Sequence, residues 1–480
     1  MSERLQPRDL AFLAGQSAST PMHNATVEIF EPGESGFDYQ ALVDLVADRI
    51  AFVPRYRQRL RPVPGRLANP IWVDDARFDI GFHVRRSGLP SPGTMEQLRE
   101  LVGRIMSRPL DGHRPMWEMY FIEGLADGRV AVLSKSHQVL VDGVETVDIG
   151  QVLLDTSPEP KQLERDDWVP GRDPSPLGLA VGALRDNLSS PATLVATGRS
   201  RAEAGARGAR TVARRTGAVV NALTNRLASP DSPISAPLSE QRRFLTVSTS
   251  LEDYRKVRKE HGGSVNDVVL ATVTGALRSW LMTRGTPAAG RRQLRAMVPM
   301  SVIDDELEAT SLGSQIAAHL VTLPIGEPSP VVRLHQVSYA FKAHRETGRA
   351  VAANRLAGIA GFAPTTFHAL GSRVAAQQYR RGFHLAITNV PGPQFPLYAA
   401  GARMLETYPV QPLLPDQALA IGVTSYDGGV FYGITADHDA LPDVAVLGQC
   451  ITEALEELVD SASETRQRAP RGRKKVTRKP

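Results

Sequence analysis

The chain has 480 residues, 42% apolar and 22% charged, enough to build a sizeable core and two to four domains. A lone cysteine, Cys450, excludes an intramolecular disulfide and a cysteine-built metal site. There is no uncharged apolar run of about 18 residues for a membrane-spanning helix, and Met1–Asp9 has no apolar signal core, so the expected location is the cytoplasm.

Residues 25–29 alternate and place Ala25, Val27 and Ile29 on one face of a strand that starts near Pro21-Met22-His23. Leu42, Leu45, Val46 and Ile50 make a helical stripe within 37–53, and Met95 to Met106 reads as a second amphipathic helix. Between them, 54–70 reads as loop and edge strand and Ile80 to Val84 as a short strand. After Pro109-Leu110-Asp111-Gly112-His113-Arg114-Pro115-Met116-Trp117, the period-2 spacing of Trp117, Met119 and Phe121 starts a strand. Asp127-Gly128 turns it, and Arg129 to Gln138 returns. His137 and Gln138 thus end a strand, ahead of a turn over Val139–Gly143. Helix is expected over 145–154.

From 157 to 176 the chain is polar and Pro-rich, a linker. Residues 185–228 carry eight arginines against Asp186 and Glu203. Their helical pattern suits either a crossover between domains or a basic helix lying on a membrane. Strands follow at 243–249 and 294–302, and helices at 264–281, 331–343 and 444–458. Leu419–Tyr426 and Val430–Ala436 form a hairpin closed by Asp427-Gly428-Gly429. The expected division is 1–156, 157–238, 239–464 and a disordered tail, 465–480. Eight of the 56 basic residues follow Glu464 with no acid among them, leaving 48 against 51 acids over residues 1–464, a charge of −3. The net +5 therefore belongs to the tail, which could be a solvated terminus or be drawn to anionic lipid. It has no aromatic residue to stack on a base, which disfavours nucleic acid.

The stretch Ser134-Lys135-Ser136-His137-Gln138-Val139-Leu140-Val141-Asp142-Gly143 resembles the His-His-x-x-x-Asp-Gly signature of CoA-dependent acyltransferases. The chain as a whole, over roughly residues 5–460, resembles the bacterial wax ester synthase/diacylglycerol acyltransferase family. The resemblance runs through Pro21-Met22-His23, Arg114-Pro115-Met116-Trp117 (Met116 where the family has Leu), Asn266-Asp267, Val298-Pro299-Met300-Ser301 and Asn389-Val390-Pro391-Gly392-Pro393. It implies an α/β fold of two chloramphenicol-acetyltransferase-like lobes with a tunnel between them. It also implies an acyl-CoA donor and a diacylglycerol or long-chain alcohol acceptor, with no metal or further cofactor. The site positions it carries over are His137, Gln138 and Asp142 as the catalytic motif, and Gly143, Arg114, Trp117, Asn266, Asp267 and Asn389 as motif or structural residues.

Two positions depart from the family pattern. Gln138 stands where the family has its general-base histidine, and Ser314 stands where it usually has asparagine. Acyl transfer from a thioester needs a base for the alcohol proton and a donor for the oxyanion. Imidazole, with a pKa near neutrality, suits the first task. A glutamine amide cannot take a proton at neutral pH but can orient an alcohol or donate to an oxyanion. His137 could replace it only if the strand end re-aims its side chain, since neighbours on a strand face opposite sides. His23, His113 and His384 are the other histidines in matching segments. Two readings stay open: an acyl-CoA-dependent O-acyltransferase of triacylglycerol or wax ester synthesis, and a catalytically impaired relative that binds lipid or acyl-CoA or partners an active enzyme.

Overall fold

A computed structural model describes residues 3–33, 36–140, 148–159, 168–179, 181, 232, 234–285, 294–301, 316–347, 368–369, 371–374, 376 and 382–468. In chain order its strands are β1 (His23–Glu31), β2 (Gln58–Arg61), β3 (Ile71–Asp74), β4 (Val84–Gly88), β5 (Trp117–Glu123), β6 (Val130–His137), β7 (Arg242–Ser250), β8 (Leu294–Ser301), β9 (Ile316–Leu323), β10 (Leu385–Pro391), β11 (Tyr398–Ala399), β12 (Ala402–Val410), β13 (Leu419–Tyr426) and β14 (Gly429–Asp437). They form two six-stranded mixed sheets, ordered β11-β12-β1-β6-β5-β4 and β7-β14-β13-β10-β8-β9, and a small β2-β3 ribbon. Each sheet has its own apolar core. The first is built around Phe30, Phe37, Trp117 and Phe121, the second around Trp280, Ile421, Tyr432 and Ile451.

Local chemistry explains several elements. Thr94 and Gln97 close a capping box on the helix Met95–Met106, and Ser264 and Asp267 do the same on Val265–Thr283. Asp127 and Gly128, and Asp427 and Gly428, all have positive φ, as hairpin turns require. Both expected hairpins, β5–β6 and β13–β14, are present and antiparallel.

Other expectations need correction. Ile80–His83 is a helical turn capped by the Asp79 side chain, so the strand begins at Val84, where it was expected to end. β1 places Ala25, Val27 and Ile29 on one face as expected, and its other face, with Asn24, Thr26 and Glu28, is buried as well. Within the described part of 145–154, helix covers only Ile149–Val152. The last helix runs from Val444 to Arg468, well past Leu458 and into the expected tail. The Arg-rich stretch 185–228, residues 312–314 and residues 469–480 lie outside the described residues.

The two lobes lock together through backbone as well as side chains. β11 and β12 come from the second half of the chain but complete the first sheet beside β1. β12 crosses the second sheet at Gly422 and Gly433, which pair with each other across β13 and β14. A Cβ on Gly433 would lie 1.8 Å from the Pro409 carbonyl oxygen, and one on Gly422 2.7 Å from the Pro409 ring. Gly103 likewise lets the helix Met95–Met106 approach β7, its missing Cβ being 2.7 Å from the Arg242 carbonyl. Arg242 ties the seam: its amide donates to Ser107 Oγ at 2.9 Å, and its guanidinium meets the Ser19 carbonyl and the buried Asp437.

Candidate active site

The motif strand β6 lies in the middle of the first sheet, and neighbouring segments hold its C-terminal end by backbone hydrogen bonds. The His137 amide donates to the Met116 carbonyl and the Gln138 amide to the Met22 carbonyl, each at 2.9 Å. Thus Arg114-Pro115-Met116-Trp117 and Pro21-Met22-His23 both converge on the two residues before the turn. Asp142 and Gly143 lie outside the described residues.

The His137 ring is engaged at both nitrogens. Nδ1 accepts from the Val139 amide at 3.1 Å, so the neutral ring carries its proton on Nε2 and donates it to Gln16 Oε1 at 2.9 Å. Burial pushes its pKa down to about 4. Gln138 is 1% exposed, yet neither its Oε1 nor its Nε2 has a hydrogen-bond partner among the described residues. Buried polar side-chain atoms are normally satisfied, so an orphaned amide at the end of this strand invites a ligand. Its main chain is held from the other lobe. Arg373 Nη1 donates to the Gln138 carbonyl at 3.0 Å, while Nη2 pairs with the buried Asp9 carboxylate of the helix Pro7–Gly15. The same guanidinium lies 5.0 Å from the Phe12 ring centre.

The other expected positions divide into two groups. Asn266 and Asn389 meet: Asn389 Nδ2 donates to Asn266 Oδ1 at 2.8 Å, joining the helix Val265–Thr283 to β10. Asp267 caps that helix, accepting from the Ser264 amide at 2.9 Å and from Ser338 Oγ at 3.1 Å. Trp117 is a packing residue, its Nε1 on the Tyr56 carbonyl at 2.7 Å and its ring stacked on His83 at 4.5 Å. Arg114 lies over the Phe82 ring at 3.8 Å, partly exposed. Of the remaining histidines, His23 pairs with His137 in the β1–β6 ladder, but its Nε2 bonds the Met106 carbonyl at 2.8 Å. His113 is exposed, and His384 Nδ1 accepts from the Arg295 amide at 2.9 Å.

A second polar cluster carries no sequence signal. His368 is 4% exposed. Its Nδ1 faces Thr388 Oγ1 at 2.8 Å and Gln411 Nε2 at 3.2 Å, and Ser372 Oγ bonds the Gln411 amide oxygen. His368 Nε2 has no partner among the described residues, and burial lowers the ring's pKa to about 3. The cluster adjoins the apolar seam of Met22, Met297, Ala386 and Leu414, because Thr388 follows Ala386 on the same face of β10. A mostly apolar seam with a few convergent polar groups is how small-molecule sites are built.

Residues 5–269 match the wax ester synthase/diacylglycerol acyltransferase catalytic domain, and residues 312–459 match the WS/DGAT C-terminal domain. The chain belongs to the wax ester synthase/diacylglycerol acyltransferase family. A Mycobacterium tuberculosis protein described as "Probable diacyglycerol O-acyltransferase tgs1" is 31% identical over 445 residues, covering 92% of this chain and 90% of its own. Another, described as tgs3, is 42% identical over 279 residues, 54% of this chain and 97% of its own. Among solved structures, the wax ester synthase/diacylglycerol acyltransferase from Marinobacter aquaeolei VT8 superposes with a TM-score of 0.67 at 26% identity, covering 96% of this chain and all of that one. The first condensation domain of the calcium-dependent antibiotic synthetase shares the two-lobed fold, with a TM-score of 0.53 at 15% identity.

Proposed function

We propose that this chain transfers a long-chain acyl group from acyl-CoA to diacylglycerol or a fatty alcohol, in a tunnel between the lobes, with Gln138 as the member of the motif that meets the substrates. The buried Gln138 amide at the end of the motif strand, without a hydrogen-bond partner among the described residues, carries this reading. In the reaction the alcohol oxygen bonds to the thioester carbonyl carbon, the C–S bond breaks with its electron pair on sulfur, and the alcohol proton ends on the CoA thiol. Gln138 can hold the alcohol through its amide oxygen but cannot take the proton. His137 is a positioning residue in this scheme, since its ring has both nitrogens committed.

Without a general base, turnover should be slower by about 10²–10⁴-fold than a histidine in that position would allow. Radiolabelled palmitoyl-CoA, offered diacylglycerol or hexadecanol, should give slow but measurable ester. Gln138→His should raise kcat by about 10²-fold or more, and Gln138→Ala should lower it. A native chain that makes no ester but gains turnover as Gln138→His would favour the second reading, a relative that binds acyl-CoA or lipid without converting it. Silence in both would end the acyltransferase reading.

Both acceptors are lipids, so the enzyme must reach a membrane or lipid-droplet surface from the cytoplasm. Among the described residues no helix is long and apolar enough to cross a membrane. The eight basic residues after Glu464 supply a peripheral attraction instead, each contributing roughly 1 kcal/mol near an anionic surface. Removing 465–480 should therefore weaken binding to phosphatidylserine vesicles at low salt. Unchanged sedimentation with vesicles would take the tail out of the account.

A further inference from the structure

We propose that His368 is a second catalytic residue of this chain, whose Nε2–H donates to the thioester carbonyl oxygen and holds the oxyanion that forms there. This deepens, and rests on, the acyltransferase reading above.

The tautomer follows from the neighbours. An amide nitrogen can only donate, so Gln411 Nε2, 3.2 Å from Nδ1, makes Nδ1 an acceptor. The Ser372 hydroxyl meets the Gln411 amide oxygen and also the His368 carbonyl, at 2.8 Å. The Thr388 hydroxyl, 2.8 Å away, points at the same nitrogen. The ring proton therefore sits on Nε2, where no protein acceptor meets it among the described residues. Burial keeps the ring neutral, so the free group is a preorganised donor rather than an acid or a base. A buried N–H without a partner is destabilising unless something docks on it.

The location matches. Residues 368–369 and 371–374 are helical, and Arg373, five positions after His368, grips the Gln138 carbonyl from the other lobe. The Gln138 amide and the His368 imidazole Nε2, both without a partner among the described residues, are thus linked through Arg373, and His368 adjoins an apolar seam suited to an acyl chain. The division of labour is direct. Gln138 orients the attacking alcohol, and His368 stabilises negative charge on the carbonyl oxygen while the proton leaves with sulfur. Donors preset in a dry site act most strongly on charge that develops in the transition state.

Two substitutions separate catalysis from packing. His368→Asn leaves an amide oxygen to receive Thr388 and Gln411 but removes the donor at the Nε2 position. His368→Gln returns an N–H at that reach. With palmitoyl-CoA and diacylglycerol, His368→Asn should lose about 10²–10³-fold in kcat with KM changed less than about threefold, and His368→Gln should regain at least about tenfold. The infrared carbonyl stretch of bound ¹³C-labelled palmitoyl-CoA should be lowered in the native chain and return towards the free value in His368→Asn, which a purely structural role would not produce. A His368→Asn chain within about threefold of native kcat, with an unchanged carbonyl band, would overturn the proposal. If the native chain turns over no thioester, the acyltransferase reading is what has failed, and the band alone decides. A lowered band abolished by His368→Asn supports the carbonyl contact, and a band at the free position rejects it.

Discussion

Arg373→Ala should destabilise the protein by about 3–5 kcal/mol, because it leaves the Asp9 carboxylate buried without its counter-charge. Side-chain exposure is 5% for Arg373 and 1% for Asp9, so water cannot take over either charge. The same change removes the donor from the Gln138 carbonyl and the cation from the face of Phe12. A loss of this size is a large part of the roughly 5–15 kcal/mol that holds a typical domain together. Urea unfolding of Arg373→Ala, Asp9→Asn and their combination measures it. The double variant should lose less than the sum, since the second change removes a charge that the first had stranded. If Arg373→Ala costs under about 1 kcal/mol, the pair is not the clamp described here.

Gly433→Ala should cost about 3 kcal/mol or more, at the upper end of what one added methyl group does in a packed core. The reason is backbone against backbone. The new Cβ would stand 1.8 Å from the Pro409 carbonyl oxygen, and both residues lie inside paired strands that cannot swing aside. β12 would have to lift off β14 and would loosen the lobe seam, so activity should fall with the thermal midpoint. Gly88→Ala is the control: a Cβ there meets nothing within 4 Å, and the change should be nearly neutral. A Gly433→Ala midpoint matching that control would mean that β12 does not cross the second sheet at this point.

What could be read from the sequence was local. The helix Met95–Met106 has the expected bounds because its apolar spacing and Thr94–Gln97 cap act within one turn. The Asp-Gly hairpins formed because their turn chemistry lies within four residues. Ile80 to Val84 misled because Ile80 and Phe82 alternate like a strand, while the Asp79 cap starts a helical turn. β12 and the helix Leu251–His261 were not anticipated. β12 pairs with β1, more than half the chain away, and no local pattern announces such a partner.

The site divides along the same line. Asn266 and Asn389 stood out as motif residues, but their mutual hydrogen bond spans 123 positions and appears only in three dimensions. Asp267 proved to be a cap, a role that its place three residues after Ser264 already allowed. His368 and Arg373 belong to no motif, and Arg373 reaches Gln138 across 235 positions.

The placement of β12 beside β1 also has a consequence for synthesis. A ribosome finishes β6 at His137 but does not release β12 until Val410. At about 5–20 residues per second, the roughly 270 residues between them take on the order of 15–55 s. For that time the outer edge of β1 has no strand to pair with, and open edges recruit strands from other chains. Co-translational chaperones should therefore be needed early, and production in cells should suffer more from faster initiation, which crowds half-made chains together, than from slower elongation.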